Sequence, residues 1–264
     1  MHFSQVMQQF GADKPDSMPI AVPSAWGQGR AVFGGMAAAL AMAHLLPVIP
    51  QHMPLRSVSV SFVAPLNAGQ ATVQRRILRQ GKSVIQAQVN IEQDGQIALV
   101  LLASFGAARP SAHQLSADTA PLWPTDSALT LPKQGPAPEF TNHFDYRIAH
   151  GQLPFSASPL RQLGGDIRMS GNESSQAGIL ELLALVDAWP PVSLTLLNQP
   201  APASSLTWTL EFIAHDLPFN TTDWWRYLAE IDYGADGYHH IAAKLWQPDG
   251  KLAAISRQTV TVFA

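Results

Sequence analysis

A stretch of small apolar residues near the N-terminus most constrains how this chain can fold. The stretch runs from Phe33 to Ile49, and after Phe33 its first half is almost entirely glycine, alanine and methionine. A helix that is apolar on every side must be buried on every side, and small side chains let a sheet approach its axis closely. The stretch therefore predicts a central helix enclosed by a curved sheet. The simpler alternative is an alanine-rich helix packed on one face only.

Alternating segments follow this helix in close succession. Residues 55–66 place Val58, Val60 and Phe62 on one face and serines on the other, which is the period of a half-buried strand. Further strands are predicted over residues 70–79, 82–93 and 96–105. Asp94-Gly95 is a strong signal for a hairpin turn. One helix followed by an antiparallel meander predicts the α+β class rather than a parallel doubly wound sheet.

The same order of elements occurs a second time. A helix predicted over residues 174–189 ends at Pro190-Pro191, and Phe62-Val63-Ala64 recurs as Phe212-Ile213-Ala214. Strands are predicted around it over residues 143–149, 166–170, 205–213, 224–233, 238–247 and 251–263. An internal duplication explains this repetition. The predicted boundaries are 1–108 for an N-terminal domain, 109–139 for a proline-rich linker without periodicity, and 140–264 for a C-terminal domain.

Composition narrows the functional classes. The formal net charge is −3 and lysines and arginines do not cluster, so nucleic acid is not expected as a partner. The chain has no cysteine, which excludes thiolate nucleophiles and disulfides, and its nine histidines lack metal-ligand spacing, so neither a metal nor a cofactor is expected. The N-terminus has no apolar signal segment and the apolar helix is short for a membrane span. We therefore expect a cytoplasmic enzyme.

Several motifs together resemble the double-hotdog acyl-CoA thioesterase II proteins and their thioesterase-like relatives. These motifs are Gly29-Arg30-Ala31-Val32-Phe33-Gly34-Gly35-Met36, Leu55-Arg56-Ser57, Leu78-Arg79-Gln80-Gly81-Lys82-Ser83, Gln93-Asp94-Gly95, Val186-Asp187-Ala188-Trp189-Pro190-Pro191, Asp249-Gly250 and Gln258. The resemblance covers nearly the whole chain apart from the linker. It implies a tandem (double) hotdog, in which each half is an antiparallel curved sheet wrapped around a central helix. It also implies that the chain hydrolyses a fatty or other acyl-CoA thioester, with homo-oligomerisation left open.

The start of the first helix is a candidate site for substrate binding. Gly34, Gly35 and Met36 stand where backbone N–H groups have no partner within the helix. Such donors can polarise a thioester carbonyl and hold the oxyanion that forms on attack. The alternative is that the glycines only permit close packing of helix against sheet.

The resemblance also implies a catalytic set. In the resembled family a glutamine in the last strand joins an aspartate and a threonine to orient a hydrolytic water. Gln258 matches the glutamine, whereas Thr207 stands at the expected place of the aspartate and Asp232 at that of the threonine. The same side-chain types would then occur with two places exchanged, Thr209 would assist, and Asp232 would be the general base. The alternative is that Asp232 is a solvated surface residue.

Asp187 is the second candidate carboxylate. It lies at the C-terminal end of the second predicted helix, where a negative charge is unfavourable beside the helix dipole. An acid in such a place often has another partner, and the resembled family also has an aspartate here. A structural role, bonding to the backbone of the loop over residues 190–202, is the alternative to a catalytic one.

Other interpretations stay open at this point. Arg56, Arg79 and Lys82 are candidate contacts for the phosphates of CoA, with surface solvation as the alternative. A protein that binds acyl-CoA or another acyl ligand but has lost its base would also explain Thr207. A hotdog dehydratase or hydratase would need a histidine on the helix, for which His44 is the candidate.

Overall fold

The computed structural model describes residues 2–124, 128–133, 137–171 and 175–264. The predicted start of the second helix at Ser174 and Pro136 of the predicted linker lie outside these ranges. The chain divides into two compact units, unit 1 with residues 1–114 and 138–140, and unit 2 with residues 115–137 and 141–264. Most of the predicted linker is therefore grouped with unit 2.

Unit 1 is an antiparallel sheet with one long helix. Its elements are α1 (Phe3–Met7), β1 (Ser17–Val22), β2 (Gly27–Gln28), β3 (Ala31–Val32), α2 (Gly34–Leu45), β4 (Leu55–Phe62), β5 (Gly69–Gln80), β6 (Val84–Gln93) and β7 (Gln96–Gly106). Its sheet has the strand order β1-β5-β6-β7-β4. The β2–β3 pair forms a separate small ribbon, and a 3₁₀ turn over Leu46–Val48 follows α2.

Helix α2 is enclosed, as its composition predicts. Every residue from Gly35 to Leu45 is buried, and the helix packs against β5, β6 and β7. Phe33 precedes the first turn and stacks on Phe140, with ring centroids 4.3 Å apart. The interpretation of a helix packed on one face only is therefore wrong, and the expected arrangement of a sheet around a central helix is present in this unit.

Unit 2 repeats the architecture with a shorter helix. Its elements are β8 (Phe144–His150), β9 (Gln162–Met169), α3 (Ile179–Asp187), α4 (Ser193–Leu196), β10 (Ala203–Phe212), β11 (Trp225–Ala235), β12 (Tyr238–Trp246) and β13 (Leu252–Val262). The strand order of its sheet is β10-β13-β12-β11-β9-β8. The central part of α3, Leu182–Val186, is buried. A 3₁₀ turn over Glu139–His143 precedes β8.

The strand register reproduces the internal duplication. The Val63 N–H donates to the Ala98 carbonyl in unit 1, and the Ile213 N–H donates to the Ala253 carbonyl in unit 2, both at 2.9 Å. Val63 directly follows β4 and Ile213 directly follows β10. Each of these two strands also carries a bulge at the same repeat position. In β4 the bulge lies between Leu55 and Ser57, and in β10 it lies between Ser205 and Thr207. Equivalent positions in the two units can therefore be compared residue by residue.

The segment before unit 2's first strand lies on the sheet of that unit. The Arg226 guanidinium donates to the Pro121 carbonyl at 2.8 Å, and the Trp246 indole donates to the Asp118 carbonyl at 3.0 Å. Within the described ranges, no helix is both long and apolar enough to cross a membrane.

Candidate active site

Asp187 and Gln258 form a short side-chain hydrogen bond on the inner face of unit 2. Asp187 is the last residue of α3, and Gln258 lies in β13. The Gln258 Nε2 donates to Asp187 Oδ1 at 2.6 Å, and the pair is partly buried. Gln258 shares the inner face of the strand with the buried Ser256 and Val260. The structure thus joins two of the residues that the sequence singled out.

Aromatic groups surround Asp187. The Tyr146 hydroxyl donates to the Ala188 carbonyl at 2.9 Å, and Trp189 stacks on Tyr227 with ring centroids 4.9 Å apart. Burial raises the pKa of the Tyr146 and Tyr227 hydroxyls, and the nearby negative charge of Asp187 raises it further. Both tyrosines therefore stay protonated at neutral pH and lie near the carboxylate as neutral groups.

Ser205 is a further polar residue on this face, although simple alternation along residues 205–213 would place it on the other face with Thr207. Ser205 pairs directly with the buried Val260, and Trp208 pairs with Gln258. Residues directly opposite each other in an antiparallel pair point to the same side of the sheet. The bulge between Ser205 and Thr207 reverses the alternation. Ser205 therefore points to the inner side, on the strand next to Gln258.

Unit 1 has apolar residues at the equivalent positions. In that unit Leu55 pairs with Phe105 and Val58 pairs with Ala103, so Leu55 corresponds to Ser205 and Ala103 to Gln258. Both residues of unit 1 are buried. The polar set thus occurs in one copy of the duplicated fold, which argues against a general structural need for polar groups there.

Asp232 and Thr207 are not brought together with Gln258, and the expected exchange of places is not what the structure shows. Asp232 is exposed and pairs with Arg257 at 2.6 Å, and Arg257 neighbours Gln258 in β13 and so points to the opposite face. Thr207 is exposed and pairs with Thr259 on that outer face. The physical reason is the bulge in β10 together with a second register shift in β11 next to Asp232.

Thr209 lies on the same outer face. It pairs with Arg257 in β13, one residue away from Gln258 along the strand. Since successive residues of a strand point to opposite faces, its hydroxyl is directed away from the Asp187–Gln258 pair. The expectation that Thr209 assists Gln258 is therefore not supported by the strand geometry.

The candidate binding residues of unit 1 fall into two places. Helix α2 begins at Gly34 without a side-chain cap, and the Ala37 N–H is bonded to the Phe33 carbonyl at 3.0 Å. The N–H groups of Gly34, Gly35 and Met36 precede this bond and so have no acceptor within the helix. Gly35 and Met36 are also buried, and carbonyl binding by their N–H groups stays a prediction.

The cationic candidates lie at the ends of strands in unit 1. Arg56 is the bulged residue of β4, its Nε donates to the Gly106 carbonyl at 2.9 Å, and it lines a groove of about 460 Å³ together with Arg109. Arg79 and Lys82 are exposed on or beside the hairpin that joins β5 and β6. Their role as CoA contacts stays a prediction. In the described part of the chain, no three His, Asp or Glu side chains are gathered closely enough to hold a metal ion.

Two models of known protein families match this chain. The model of the acyl-CoA thioesterase N-terminal domain matches residues 22–106, and that of the acyl-CoA thioesterase C-terminal domain matches residues 117–262. The chain belongs to the acyl-CoA thioesterase family. These two matches cover well over half of the chain, and no curated protein sequence matches it significantly.

Solved structures show the fold of this family member. A conserved protein of unknown function with a hot dog fold from Alicyclobacillus acidocaldarius aligns with a TM-score of 0.83, at 21% identity over 95% of this chain and 94% of its own. An acyl-CoA thioesterase II from Mycobacterium marinum aligns with a TM-score of 0.72, at 18% identity over 95% of this chain and 94% of its own. The double-hotdog fold implied by the sequence motifs is thereby confirmed.

Proposed function

We propose that this family member hydrolyses acyl-CoA thioesters and that Asp187 is its general base. The observation that carries the proposal is the 2.6 Å contact between Asp187 and Gln258. Ser205 lies on the same inner face, one strand away. A carboxylate, an amide and a hydroxyl on one partly buried surface are the groups needed to bind a water molecule and to remove its proton.

In this mechanism the Gln258 amide fixes the orientation of the Asp187 carboxylate. The carboxylate and the Ser205 hydroxyl hold a water molecule against the thioester carbonyl carbon. Asp187 accepts a proton as the water oxygen forms a bond to this carbon, which gives a tetrahedral intermediate. Collapse of the intermediate breaks the carbon–sulfur bond and releases the free acid and the CoA thiolate. The proton held by Asp187 then passes to the departing products or to solvent.

The thiolate is a good leaving group, so the proposed site needs a base more than an acid. A thiol has a pKa of about 8.5 in water, and its thiolate therefore departs without prior protonation. A single carboxylate is thus sufficient for the proton transfers. The binding of a thioester carbonyl by the N–H groups of Gly35 and Met36 stays a separate prediction for unit 1, and the mechanism at Asp187 does not use it.

The competing interpretations lose their motivation. The binding-only interpretation depends on Thr207 replacing a catalytic aspartate, but Thr207 is exposed on the outer face, so its identity does not bear on the base. The dehydratase interpretation depends on His44. This residue is buried at the end of α2 and its Nε2 bonds to the Asp16 carbonyl at 3.0 Å.

A screen of saturated acyl-CoA substrates of increasing chain length tests the proposal. Release of free CoA is followed with a thiol reagent, and binding of each substrate is measured in parallel by calorimetry. We expect thiol release well above the uncatalysed rate for at least one range of chain lengths. Tight binding without thiol release for every chain length would instead establish a binding protein.

A further inference from the structure

A second polar pair lies beside the proposed catalytic one. The His239 Nδ1 and the Ser193 Oγ are 2.7 Å apart, and Ser193 is fully buried. Ser193 begins α4, which follows the end of α3 closely in the chain. Two side-chain hydrogen bonds thus attach the short segment from Asp187 to Ser193 to the sheet. Asp187 bonds to Gln258 in β13, and Ser193 bonds to His239 in the neighbouring strand β12.

The strand register places His239 on the same inner face as Gln258. His239 pairs directly with Val260, and Ile241 pairs with Gln258. His239 and Gln258 are therefore diagonal neighbours, with Cα atoms about 7–8 Å apart, a distance that an imidazole and a long amide can bridge through one bound group. Gly234, opposite His239, accommodates the ring, because a Cβ at that position would lie 2.6 Å from His239 Cδ2.

Unit 1 again supplies an internal comparison. In that unit Ile85 pairs with Phe105, as His239 pairs with Val260 in unit 2. Ile85 is therefore the counterpart of His239, and it is buried. The inner-face positions that hold Ser205, Gln258 and His239 in unit 2 thus hold only apolar residues in unit 1. His239 belongs to the same polar surface as the proposed catalytic residues.

We propose that His239 hydrogen-bonds a neutral polar group of the substrate that lies a few bonds from the scissile carbonyl. This inference depends on the proposed function. An all-aliphatic group passing this surface would remove water from the imidazole without replacing its hydrogen bonds, which is unfavourable. An amide, a hydroxyl or an oxo group replaces them. Two parts of an acyl-CoA carry such a group at this distance, the first amide of the pantetheine arm and a hydroxyl or oxo substituent on the acyl chain.

The charge of the site favours a neutral partner over a phosphate. Burial lowers the pKa of the His239 imidazole, and the neighbouring His240 lowers it further. The ring is therefore mostly uncharged at neutral pH and offers one nitrogen to Ser193 and the other to a ligand. A neutral donor or acceptor gains most from such a ring, whereas a phosphate needs a fixed positive charge.

Three thioesters of one acyl length distinguish the two candidate partners of His239, the pantetheine amide and a substituent on the acyl chain. The first is the unsubstituted acyl-CoA, the second is its 3-hydroxyacyl counterpart, and the third is the unsubstituted ester of a plain alkanethiol, which lacks the pantetheine amide. The values of kcat/KM are compared between wild type and His239→Ile, which installs the residue of unit 1. His240→Ile is the matched control, because His240 is the next residue in the strand and is exposed on the other face.

The expected result is a selective loss in His239→Ile. If the amide is the partner, kcat/KM falls about tenfold for both CoA esters and is unchanged for the alkanethiol ester, as the loss of one neutral hydrogen bond predicts. If an acyl substituent is the partner, the value for the hydroxyacyl ester alone falls by about this factor. His239→Gln, which keeps a neutral hydrogen-bonding group, should restore most of the affected rate, and His240→Ile should change none of the values.

A response that does not distinguish the thioesters would overturn the inference. An equal change, or no change, for all three thioesters in His239→Ile would show that His239 does not contact a polar group of the substrate, while leaving the proposed hydrolysis intact. If His239→Ile does not fold, an unselective loss in His239→Gln would have the same meaning. Absence of thiol release by wild type from every thioester would instead remove the proposed function and this inference together.

Discussion

The carboxylate of Asp187 stands at the end of a helix, where the unpaired carbonyl groups disfavour a negative charge. The Gln258 amide, 2.6 Å away, offsets this effect with one short hydrogen bond. The neighbouring tyrosines are neutral, and burial keeps their pKa high. One short hydrogen bond thus orients a carboxylate at a helix end that does not stabilise its charge, and the proposed function uses this carboxylate as the base.

Ser205 gives a test at the level of one hydroxyl. Ser205→Ala should lower kcat for acyl-CoA hydrolysis about tenfold, because one neutral hydrogen bond to the attacking water is lost. The midpoint temperature of thermal unfolding should change little, since Ser205 is only partly buried. The matched control is Thr207→Ala, which removes a hydroxyl from the outer face of the same strand. Equal rates for the Ser205 variant and wild type would exclude Ser205 from the site.

The site residues show where inference from the sequence alone stops. The shared face of Gln258, Val260 and Val262 follows from simple alternation, and the register agrees with it. Ser205 was missed because one extra residue in β10 inverts the alternation, and no residue type in that segment signals a bulge. The available signal was the repeat of Phe62-Val63-Ala64 as Phe212-Ile213-Ala214, which places Leu55 and Ser205 at the same repeat position, where both bulges fall.

At the scale of elements, the long helix of unit 1 and the long strands could be predicted from the sequence, whereas the edge strand β1 and the short helices α1 and α4 could not. Strand β1 (Ser17–Val22) contains Pro19 and forms the edge of unit 1's sheet, where it pairs with β5. An edge strand tolerates proline because one side of it makes no ladder hydrogen bonds, so its sequence carries little strand signal. Helices α1 and α4 are too short to show a helical period.

The enclosure of α2 predicts a strong response to added volume. Ala38 is fully buried in the helix, and Ala38→Leu should lower the free energy of unfolding by about 1–3 kcal/mol through overpacking. Ala117→Leu, at an exposed position, should change it by less than about 0.5 kcal/mol. Chemical denaturation of both variants measures the difference. A similar small effect for both would mean that the sheet does not close around the helix.

His44 at the end of α2 predicts a pH-dependent stability. Burial lowers the pKa of its imidazole below the ordinary value of 6.5, and the cation of Arg75 contributes in the same direction. The unfolded chain therefore binds a proton more readily than the folded one, so stability is full above about pH 6.5 and falls as the pH drops below it. His44→Gln keeps a donor for the Asp16 carbonyl and removes the titration.

The measurement for this prediction is the free energy of unfolding of wild type and His44→Gln between about pH 7.5 and about pH 5.5, which is about one unit on either side of the reference pKa of His. The wild-type curve should fall more steeply below about pH 6.5 than that of the variant. The lowered pKa of His239 acts in the same range, so both curves keep part of the slope. Parallel curves would show that His44 does not contribute to it.

At the scale of the molecule, duplication has produced two copies of one fold with different inner surfaces. Where unit 2 has Ser205, His239 and Gln258, unit 1 has Leu55, Ile85 and Ala103. The family matches cover both copies, as residues 22–106 and 117–262. This difference between the copies can be read from the sequence once the register is known, and not before, because the offset between equivalent positions differs from strand to strand.

The most direct test of the proposed site compares thiol release from acyl-CoA by wild type, Asp187→Asn and Asp232→Asn under identical conditions. The proposed function predicts a fall in kcat of at least about a hundredfold for Asp187→Asn, the usual contribution of a general base, and wild-type turnover for Asp232→Asn. Full activity of Asp187→Asn, or a large loss confined to Asp232→Asn, would contradict the assignment of the base to the end of α3.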